Sequence, residues 1–293
     1  MELRHIVAAT DESDAGRQGV RAALALSAKT GARVTIMRTV PVRAAVLAGI
    51  PSVQSTVDEA AESSVERLQR WVEADLAGLE SRVSFAVTGG HPGVEIGHFA
   101  EREWADLLVL GRKPRSLMAR LVVGDTTDAV ARRCTLPCLF VVVAAALPRK
   151  VLVAIDGSDR AMAVLAEGES FARQVGADLH VVTVEPPHWQ GPAHLAADIP
   201  DARSVRLSVR VRAAVGRELE IRRGDPVAQI LAAVSERRPD VLVIGCHRGG
   251  PPGIIDAGST ARRLAHTAPC AILTIPPVIR RVRLAHKPGG GPR

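Results

Sequence analysis

Short apolar runs alternate with longer amphipathic segments along the whole chain. In the first half, runs near residues 4–10, 33–40, 82–87, 106–110 and 138–144 are rich in Val, Ile, Leu and Ala and have the length of buried strands. The segments between them show helical periodicity. Strands that alternate with helices in this way are typical of right-handed βαβ units, so the pattern predicts a mostly parallel sheet flanked by helices.

The second half of the chain repeats the order of the first. We predict its strands near residues 150–155, 178–184, 217–222, 240–244 and 270–275. Four pairs of segments match between the halves: 5–14 with 150–159, 90–92 with 224–226, 105–111 with 239–245, and 136–138 with 268–270. Two copies of one module therefore fill the chain. We predict a first domain over residues 1–146 (copy one), a second over 147–279 (copy two) and a basic flexible tail over 280–293.

The stretch after the second strand of each copy lacks a clear period. Residues 41–56 and 186–201 are rich in Pro, Gly and Ala, so we interpret them as loops. Each loop leads into a segment with helical periodicity. We predict these helices over residues 57–76 in copy one and 202–215 in copy two.

A glycine-rich segment in copy two points to chemistry. Residues 245–260 read Gly-Cys-His-Arg-Gly-Gly-Pro-Pro-Gly-Ile-Ile-Asp-Ala-Gly-Ser-Thr and follow the apolar run 240–244. A strand thus leads into a loop that ends where a helix begins. Glycines let the backbone approach a ligand closely, and the free N–H groups at a helix start favour phosphate. Ser259 and Thr260 can cap this helix or donate to a phosphate oxygen.

This segment carries a resemblance to a known family. Gly245, Gly258 and Ser259 resemble the Gly-x2-Gly-x9-Gly-(Ser/Thr) signature of the ATP-binding branch of the universal stress protein family, with Arg248 at the second glycine and Gly249 directly after it. With the repeat, the chain is similar to a tandem universal stress protein over about residues 3–276. The resemblance implies an α/β fold of two tandem open five-stranded sheets in the order 3-2-1-4-5, flanked by helices, Rossmann-like and similar to adenine nucleotide alpha hydrolases.

The resemblance also implies a nucleotide site in copy two. In open α/β sheets, ligands bind at the carboxyl ends of the strands where the strand order reverses, here between the first and fourth strands. ATP would lie there, with Mg²⁺ held through the phosphates and water. The implied nucleoside contacts are Ala154, Asp156 and Val184. The implied phosphate contacts are Gly245, Arg248, Gly249, Gly250, Gly258, Ser259 and Thr260.

Each of these residues also has a simpler interpretation. Asp156 and its copy-one match Asp11 suit a turn or helix cap as well as a ligand contact. Val184, and Val40 as its match in copy one, suit a plain hydrophobic core. Cys246 stands at the start of the phosphate loop, where a lowered thiol pKa would favour oxidation.

Copy one keeps only part of the signature. Its weaker candidate contacts are Asp11, Val40, Gly111, Gly124 and Thr126. Pro114 removes an N–H from the loop, and Asp125 stands where Ser or Thr would meet a phosphate. The basic residues Arg112, Lys113 and Arg115 favour phosphate instead. We expect copy one to bind nucleotide weakly or not at all and to act mainly as a structural partner.

The charge of the chain changes little in this picture. The formal net charge of the 293 residues is +7, but residues 278–293 hold five basic side chains and no acid. The rest is nearly balanced, so we do not expect a nucleic-acid-binding protein; the tail is either solvated or a contact for an anionic surface. No apolar run reaches the roughly 18 residues of a membrane span, and no signal peptide is evident, which predicts a cytoplasmic protein.

The cysteines and histidines give no metal or catalytic site. The four cysteines have neither a CxxC motif nor paired zinc spacing, so we expect reduced, mostly buried thiols. His188 and His194 lack a third fixed ligand, and His247 suits a solvated loop. We identify no catalytic base and expect at most weak ATP hydrolysis.

Two functions remain open on this basis. The first is a stress-response regulator that binds ATP mainly in copy two and signals through its conformation or a protein partner. The alternative is an interaction module of the same fold that binds no nucleotide. In the family the last strands of two modules pair, which implies that residues 139–143 and 271–275 join the copies within one chain. A homodimer of such chains is compatible with this pairing but not required by it.

Overall fold

Ten strands, eight α-helices and a short 3-10 helix (Glu80–Arg82) occur in the described part of the chain. The computed structural model describes residues 1–40, 51–76, 78–112, 126–142, 147–185, 202–246 and 259–277. The strands of copy one are β1 (His5–Ala9), β2 (Arg33–Val40), β3 (Val83–Gly89), β4 (Leu107–Gly111) and β5 (Cys138–Val141). Those of copy two are β6 (Lys150–Ile155), β7 (Asp178–Glu185), β8 (Leu219–Arg223), β9 (Val241–Gly245) and β10 (Ala271–Ile275).

The helices lie where the periodicity predicts them, with one difference. In copy one they are α1 (Asp14–Thr30), α2 (Pro51–Leu76), α3 (Pro92–Arg102) and α4 (Thr126–Arg133). In copy two they are α5 (Ala161–Val175), α6 (Ala202–Val215), α7 (Pro226–Arg237) and α8 (Ser259–Thr267). The prediction of a loop through residue 56 is wrong, because α2 already begins at Pro51. Proline suits the first helical turn, where its missing N–H would have no partner.

One continuous sheet runs through both copies. Its strand order is β3-β2-β1-β4-β5-β10-β9-β6-β7-β8. The predicted order 3-2-1-4-5 is therefore confirmed in each copy, and within each copy the strands are parallel. The last strands, β5 and β10, pair in antiparallel fashion, as the family resemblance implied. The two predicted five-stranded sheets thus join edge to edge.

The strand registers correct two of the predicted matches between the copies. Ala9 pairs with Met37, and its equivalent Ala154 pairs with Val182. Val184 therefore corresponds to Thr39, and Val40 corresponds to Glu185. The segments 136–138 and 268–270 are likewise displaced by two residues, because Cys138 pairs with Leu108 whereas Ile272 pairs with Leu242. The dipeptide Pro-Cys occurs in both copies at positions that do not correspond, since pairing across the sheet decides the register.

The two faces of the sheet are covered differently. On the face of α1, α2, α5 and α6, a single hydrophobic cluster contains residues from both copies, among them Leu24, Leu68, Leu165 and Leu207. On the opposite face each copy has its own cluster, one under α3 and α4 and the other under α7 and α8. The Leu3 N–H also donates to Oε1 of Gln174 on α5 at 2.8 Å. The copies therefore share a core on one face only.

No helix within the described residues is long and apolar enough to cross a membrane.

Candidate functional site

The carboxyl ends of three neighbouring strands meet at one edge of copy two. Ala154 on β6 pairs with Ile244 on β9, and Ile155 pairs with Thr183 on β7. Asp156 directly follows β6, so in the sheet register it lies beside Val184 on β7 and one residue beyond the level of Gly245 on β9. The structure thus brings the candidate residues Ala154, Asp156, Val184 and Gly245 to the point where the strand order reverses.

Asp156 forms a turn with its own neighbour. Its Oδ1 accepts hydrogen bonds from the backbone N–H of Ser158 at 3.1 Å and from the Ser158 hydroxyl at 2.5 Å. Asp11 does the same in copy one, where the Ser13 N–H and hydroxyl donate at 3.0 Å and 2.5 Å. Short polar side chains favour such turns after a strand. The turn interpretation holds for both aspartates, and it also fixes an exposed carboxylate at the edge of the crevice.

Val184 serves the core as well as the edge. It is half-buried and packs against the cluster that contains Leu152, Val182 and Ile244. Ala154 in the same cluster is 9% exposed. An apolar wall therefore borders the crevice at β6 and β7, which is the environment that a base ring needs. Ordinary core packing explains the same contacts.

The two copies differ at the glycine that ends the fourth strand. In copy one, a Cβ added to Gly111 would lie 1.7 Å from the carbonyl oxygen of Ala15, in the first turn of α1. In copy two, a Cβ on Gly245 would come within 3 Å only of Val164 Cγ2, at 2.8 Å. When the two copies are aligned, helix α5 begins two residues later than α1. Backbone therefore fills the crevice beside Gly111, whereas Gly245 meets only the tip of a side chain.

Arg112 does not lie in a phosphate loop. Its side chain is 6% exposed, and its NH2 group donates to the carbonyl oxygens of Ala268 at 2.7 Å and Cys270 at 3.3 Å in copy two. The expectation that Arg112 favours phosphate in copy one is therefore wrong. Its guanidinium is used to join the copies, because buried carbonyl groups at the end of α8 need donors. Lys113 and Arg115 lie outside the described residues.

Cys246 is not an activated thiol. It is 4% exposed, and its N–H donates to the Ile275 carbonyl oxygen at 2.8 Å. Burial raises the pKa of the Cys246 thiol to about 12, although the Thr274 hydroxyl and the Arg160 guanidinium act in the opposite direction. The expectation of a lowered pKa is wrong, because the thiol points into the protein. All four cysteines are free, and three are buried, as expected.

The rest of the predicted site lies partly outside the described residues. Helix α8 begins with Ser259 and Thr260, and α4 begins with Thr126, which corresponds to Thr260. The predicted contacts Arg248, Gly249, Gly250, Gly258 and Gly124 fall in segments that are not described, as do His188, His194 and His247. Among the described residues, no group of three or more His, Cys, Asp or Glu side chains could hold a metal ion.

A cleft that the sequence did not reveal lies next to Asp156. It has a volume of about 570 Å³ and separates the β6–α5 turn from α6. Its lining residues are Gly157, Ser158, Asp159, Arg206, Leu207 and Arg210. The sequence offers one indication of it, because Gly157 stands where copy one has Glu12. Without the structure, nothing connects that difference with arginines some 50 residues away.

Comparisons with known proteins agree with this architecture. The model of the universal stress protein family matches residues 2–142 and again residues 148–276. A universal stress protein of Thermus aquaticus is 31% identical over 134 residues, which are 43% of this chain and 98% of that protein. A universal stress protein structure from Archaeoglobus fulgidus DSM 4304 has a TM-score of 0.67 and 20% identity, and covers 94% of this chain and 98% of its own. A structure from Pseudomonas aeruginosa UCBPP-PA14 has a TM-score of 0.65 and 16% identity, covering 94% and 93%.

Proposed function

This chain belongs to the universal stress protein family, and we propose that it is a stress-response regulator whose second copy binds ATP. The nucleotide would occupy the crevice at the carboxyl ends of β6, β7 and β9. Asp156 and the apolar wall at Ala154 and Val184 would contact the nucleoside. The start of α8, with Ser259 and Thr260, would face the phosphates, since free N–H groups at a helix start favour negative charge.

The observation that carries this proposal is the difference between Gly245 and Gly111. Both glycines end the fourth strand of their copy, where a ligand of an open α/β sheet would lie. The first turn of α1 occupies the space beside Gly111, while the tip of the Val164 side chain is the near neighbour of Gly245. One valine methyl group takes up less of this space than a turn of helix backbone does. We therefore assign the nucleotide to copy two and a structural role to copy one.

Magnesium would accompany the nucleotide without a protein cage. No carboxylate cluster suited to a metal occurs among the described residues. Mg²⁺ commonly keeps several waters and binds substrate phosphates, which fits a site with few protein ligands. When bound, the ion would neutralise phosphate charge. Binding that favours one conformation over another suffices for regulation without hydrolysis.

The test is nucleotide analysis of the heat-denatured protein, followed by ATP titration calorimetry with Mg²⁺. We expect one nucleotide site per chain in the wild type. Asp156→Ala should weaken ATP binding roughly tenfold or more, because hydrogen bonds to charged groups contribute about 1.5–3 kcal/mol. Asp11→Ala is the matched control, since Asp11 makes the same turn in copy one. Equal loss of ATP affinity in both variants would contradict the assignment of the site to copy two, and no heat in the wild type would favour the alternative of an interaction module.

A further inference from the structure

We propose that the cleft between the β6–α5 turn and α6 binds a phosphate-bearing anion through Arg206 and Arg210. These residues lie one helical turn apart, and both line the cleft. The inference goes beyond the nucleotide proposal and does not depend on it, because its binding groups are on α6. The corresponding space in copy one lies between the β1–α1 turn and α2. It shows what fills this position when the chain supplies its own anion.

The helices α2 and α6 can be matched residue by residue. Each buries a pair of residues four apart: Leu68 and Val72 on α2, Leu207 and Val211 on α6. When these pairs are aligned, the last residues of the two helices also coincide. Arg206 then corresponds to Arg67, and Arg210 corresponds to Trp71.

In copy one, side chains occupy the space between the β1–α1 turn and α2. Arg67 donates to Oε2 of Glu12 through Nε at 2.9 Å and through NH2 at 2.6 Å. Arg38 on β2 also pairs with Glu12, whose side chain is only 11% exposed. Trp71 lies under the guanidinium of Arg17, 4.6 Å from the ring centre. A carboxylate on the turn therefore satisfies Arg67, and an aromatic ring fills the space beside it.

Copy two keeps the counterpart of Arg67 but replaces the side chains around it. Gly157 stands at the position of Glu12, Met162 at that of Arg17 and Thr183 at that of Arg38. A Cβ added to Gly157 would meet nothing within 4 Å. Within the described part of the chain, no carboxylate forms an ion pair with Arg206 or Arg210. Among the described residues, none takes the place of the Glu12 carboxylate, while the arginine that corresponds to Arg67 remains.

The two arginines of the cleft favour an anion with several oxygen acceptors. Two arginines and Asp159 give its ionisable side chains a net charge of +1. Guanidinium groups match phosphate in geometry and can each donate two hydrogen bonds to it. A phosphate offers enough acceptors for both arginines at once. Its source is either a free small anion or a phosphate of a nucleotide that lies in the adjoining crevice in the direction opposite to the one proposed above, since Gly157 directly follows Asp156.

Titration calorimetry of the full chain with inorganic pyrophosphate tests the cleft. Arg206→Ala should weaken pyrophosphate binding roughly tenfold, because it removes a hydrogen-bonded counter-charge. Arg212→Ala is the matched control: it removes the same charge from the same helix, but Arg212 faces Glu218 at 3.7 Å and does not line the cleft. Equal losses in the two variants, or no binding in the wild type, would overturn the proposal.

A second pair of variants places a carboxylate, or its neutral amide, at the repeat position of Glu12. Gly157→Glu supplies an internal carboxylate for Arg206 and should abolish pyrophosphate binding. Gly157→Gln has the same bulk without the charge and should weaken binding less; an equal effect would count against competition for Arg206. Circular dichroism checks the fold of each variant.

ATP titration of Arg206→Ala then identifies the source. A loss of ATP affinity equal to the loss for pyrophosphate indicates the phosphate chain of the nucleotide, whereas unchanged ATP affinity indicates a separate anion. Asp156→Ala distinguishes the two proposals, because it should affect ATP and leave the arginines in place.

Discussion

Leu139 and Leu273 lie directly opposite each other in the antiparallel pair of β5 and β10. Leu139 pairs on its other side with Val109, and Leu273 pairs with Val243 at the same position of copy two. A pseudo-twofold axis therefore passes between the two leucines. Both are almost fully buried, at 2% and 0% exposed. Each copy covers the open edge of the other, which removes an edge that would otherwise invite aggregation.

This relationship makes Leu273 important to both copies. Leu273→Ala should lower the free energy of unfolding by about 2–5 kcal/mol, because it removes buried methyl groups at a site that both copies pack against. The shared core predicts that the loss appears as one cooperative transition. Urea denaturation followed by circular dichroism measures it. Two separate transitions, with only copy two destabilised, would contradict a shared core.

The two fourth-strand glycines should respond differently to an added methyl group. Gly111→Ala places a Cβ 1.7 Å from the Ala15 carbonyl oxygen, so α1 must shift. We expect a loss of stability of about 1–3 kcal/mol or more, as for other overpacked sites. Gly245→Ala meets Val164 Cγ2 at 2.8 Å and should cost less, since this contact is longer and involves one methyl group instead of helix backbone. Thermal unfolding of the two variants compares them, and equal losses would remove the asymmetry on which the nucleotide proposal depends.

Arg112 should stabilise the contact between the two copies. Arg112→Met keeps much of the buried stem but removes the donors to the Ala268 and Cys270 carbonyl oxygens. Unsatisfied buried carbonyls should lower the free energy of unfolding by about 1–3 kcal/mol. Arg102→Met is the control, because the Arg102 side chain is 68% exposed. Denaturant titrations that give the same midpoint for both variants would show that these contacts contribute nothing.

His5 should make stability depend on pH. Burial lowers the pKa of His5 below 6.5, and the Arg33 guanidinium lowers it further, while Glu103 and Asp106 act in the opposite direction. The unfolded chain therefore binds the proton more readily than the folded chain. Neutral His5 therefore contributes fully to the free energy of unfolding above pH 6.5. This contribution is lost as the pH falls through the lower pKa of His5 in the folded state.

The comparison that checks this is between wild type and His5→Gln. The free energy of unfolding should fall more between pH 7.5 and pH 5 in the wild type than in the variant. His180, whose pKa is also lowered by burial, is present in both proteins and cancels. Parallel pH profiles would show that His5 does not contribute.

The cysteines should be slow to react in the folded protein. Burial raises the pKa of Cys246 to about 12 and that of Cys270 to about 11. Since the thiolate is the nucleophile, both thiols are almost fully protonated at pH 8. Alkylation by iodoacetamide, followed by mass spectrometry, should label them slowly in buffer and fast in denaturant. Rapid labelling of Cys246 in buffer would contradict the burial of its thiol.

The sequence by itself determined the strands, the helices and the duplication. Alternating apolar runs place all ten strands, and the match of residues 105–111 with 239–245 aligns the copies. These features follow from hydrophobic periodicity, which is local along the chain and therefore readable from it. The family signature at Gly245, Gly258 and Ser259 added the strand order, which periodicity does not contain.

The tertiary structure alone decided where particular side chains point. Arg112 stood in a phosphate-loop motif but reaches into copy two, because the antiparallel join of β5 and β10 brings buried carbonyls to it. Glu12 and Arg67 are 55 residues apart and meet only when α2 packs over the sheet. Contacts between distant segments depend on packing and register, which composition and local pattern do not encode. The sequence therefore determined the framework, and packing decided which of its polar residues can meet a ligand.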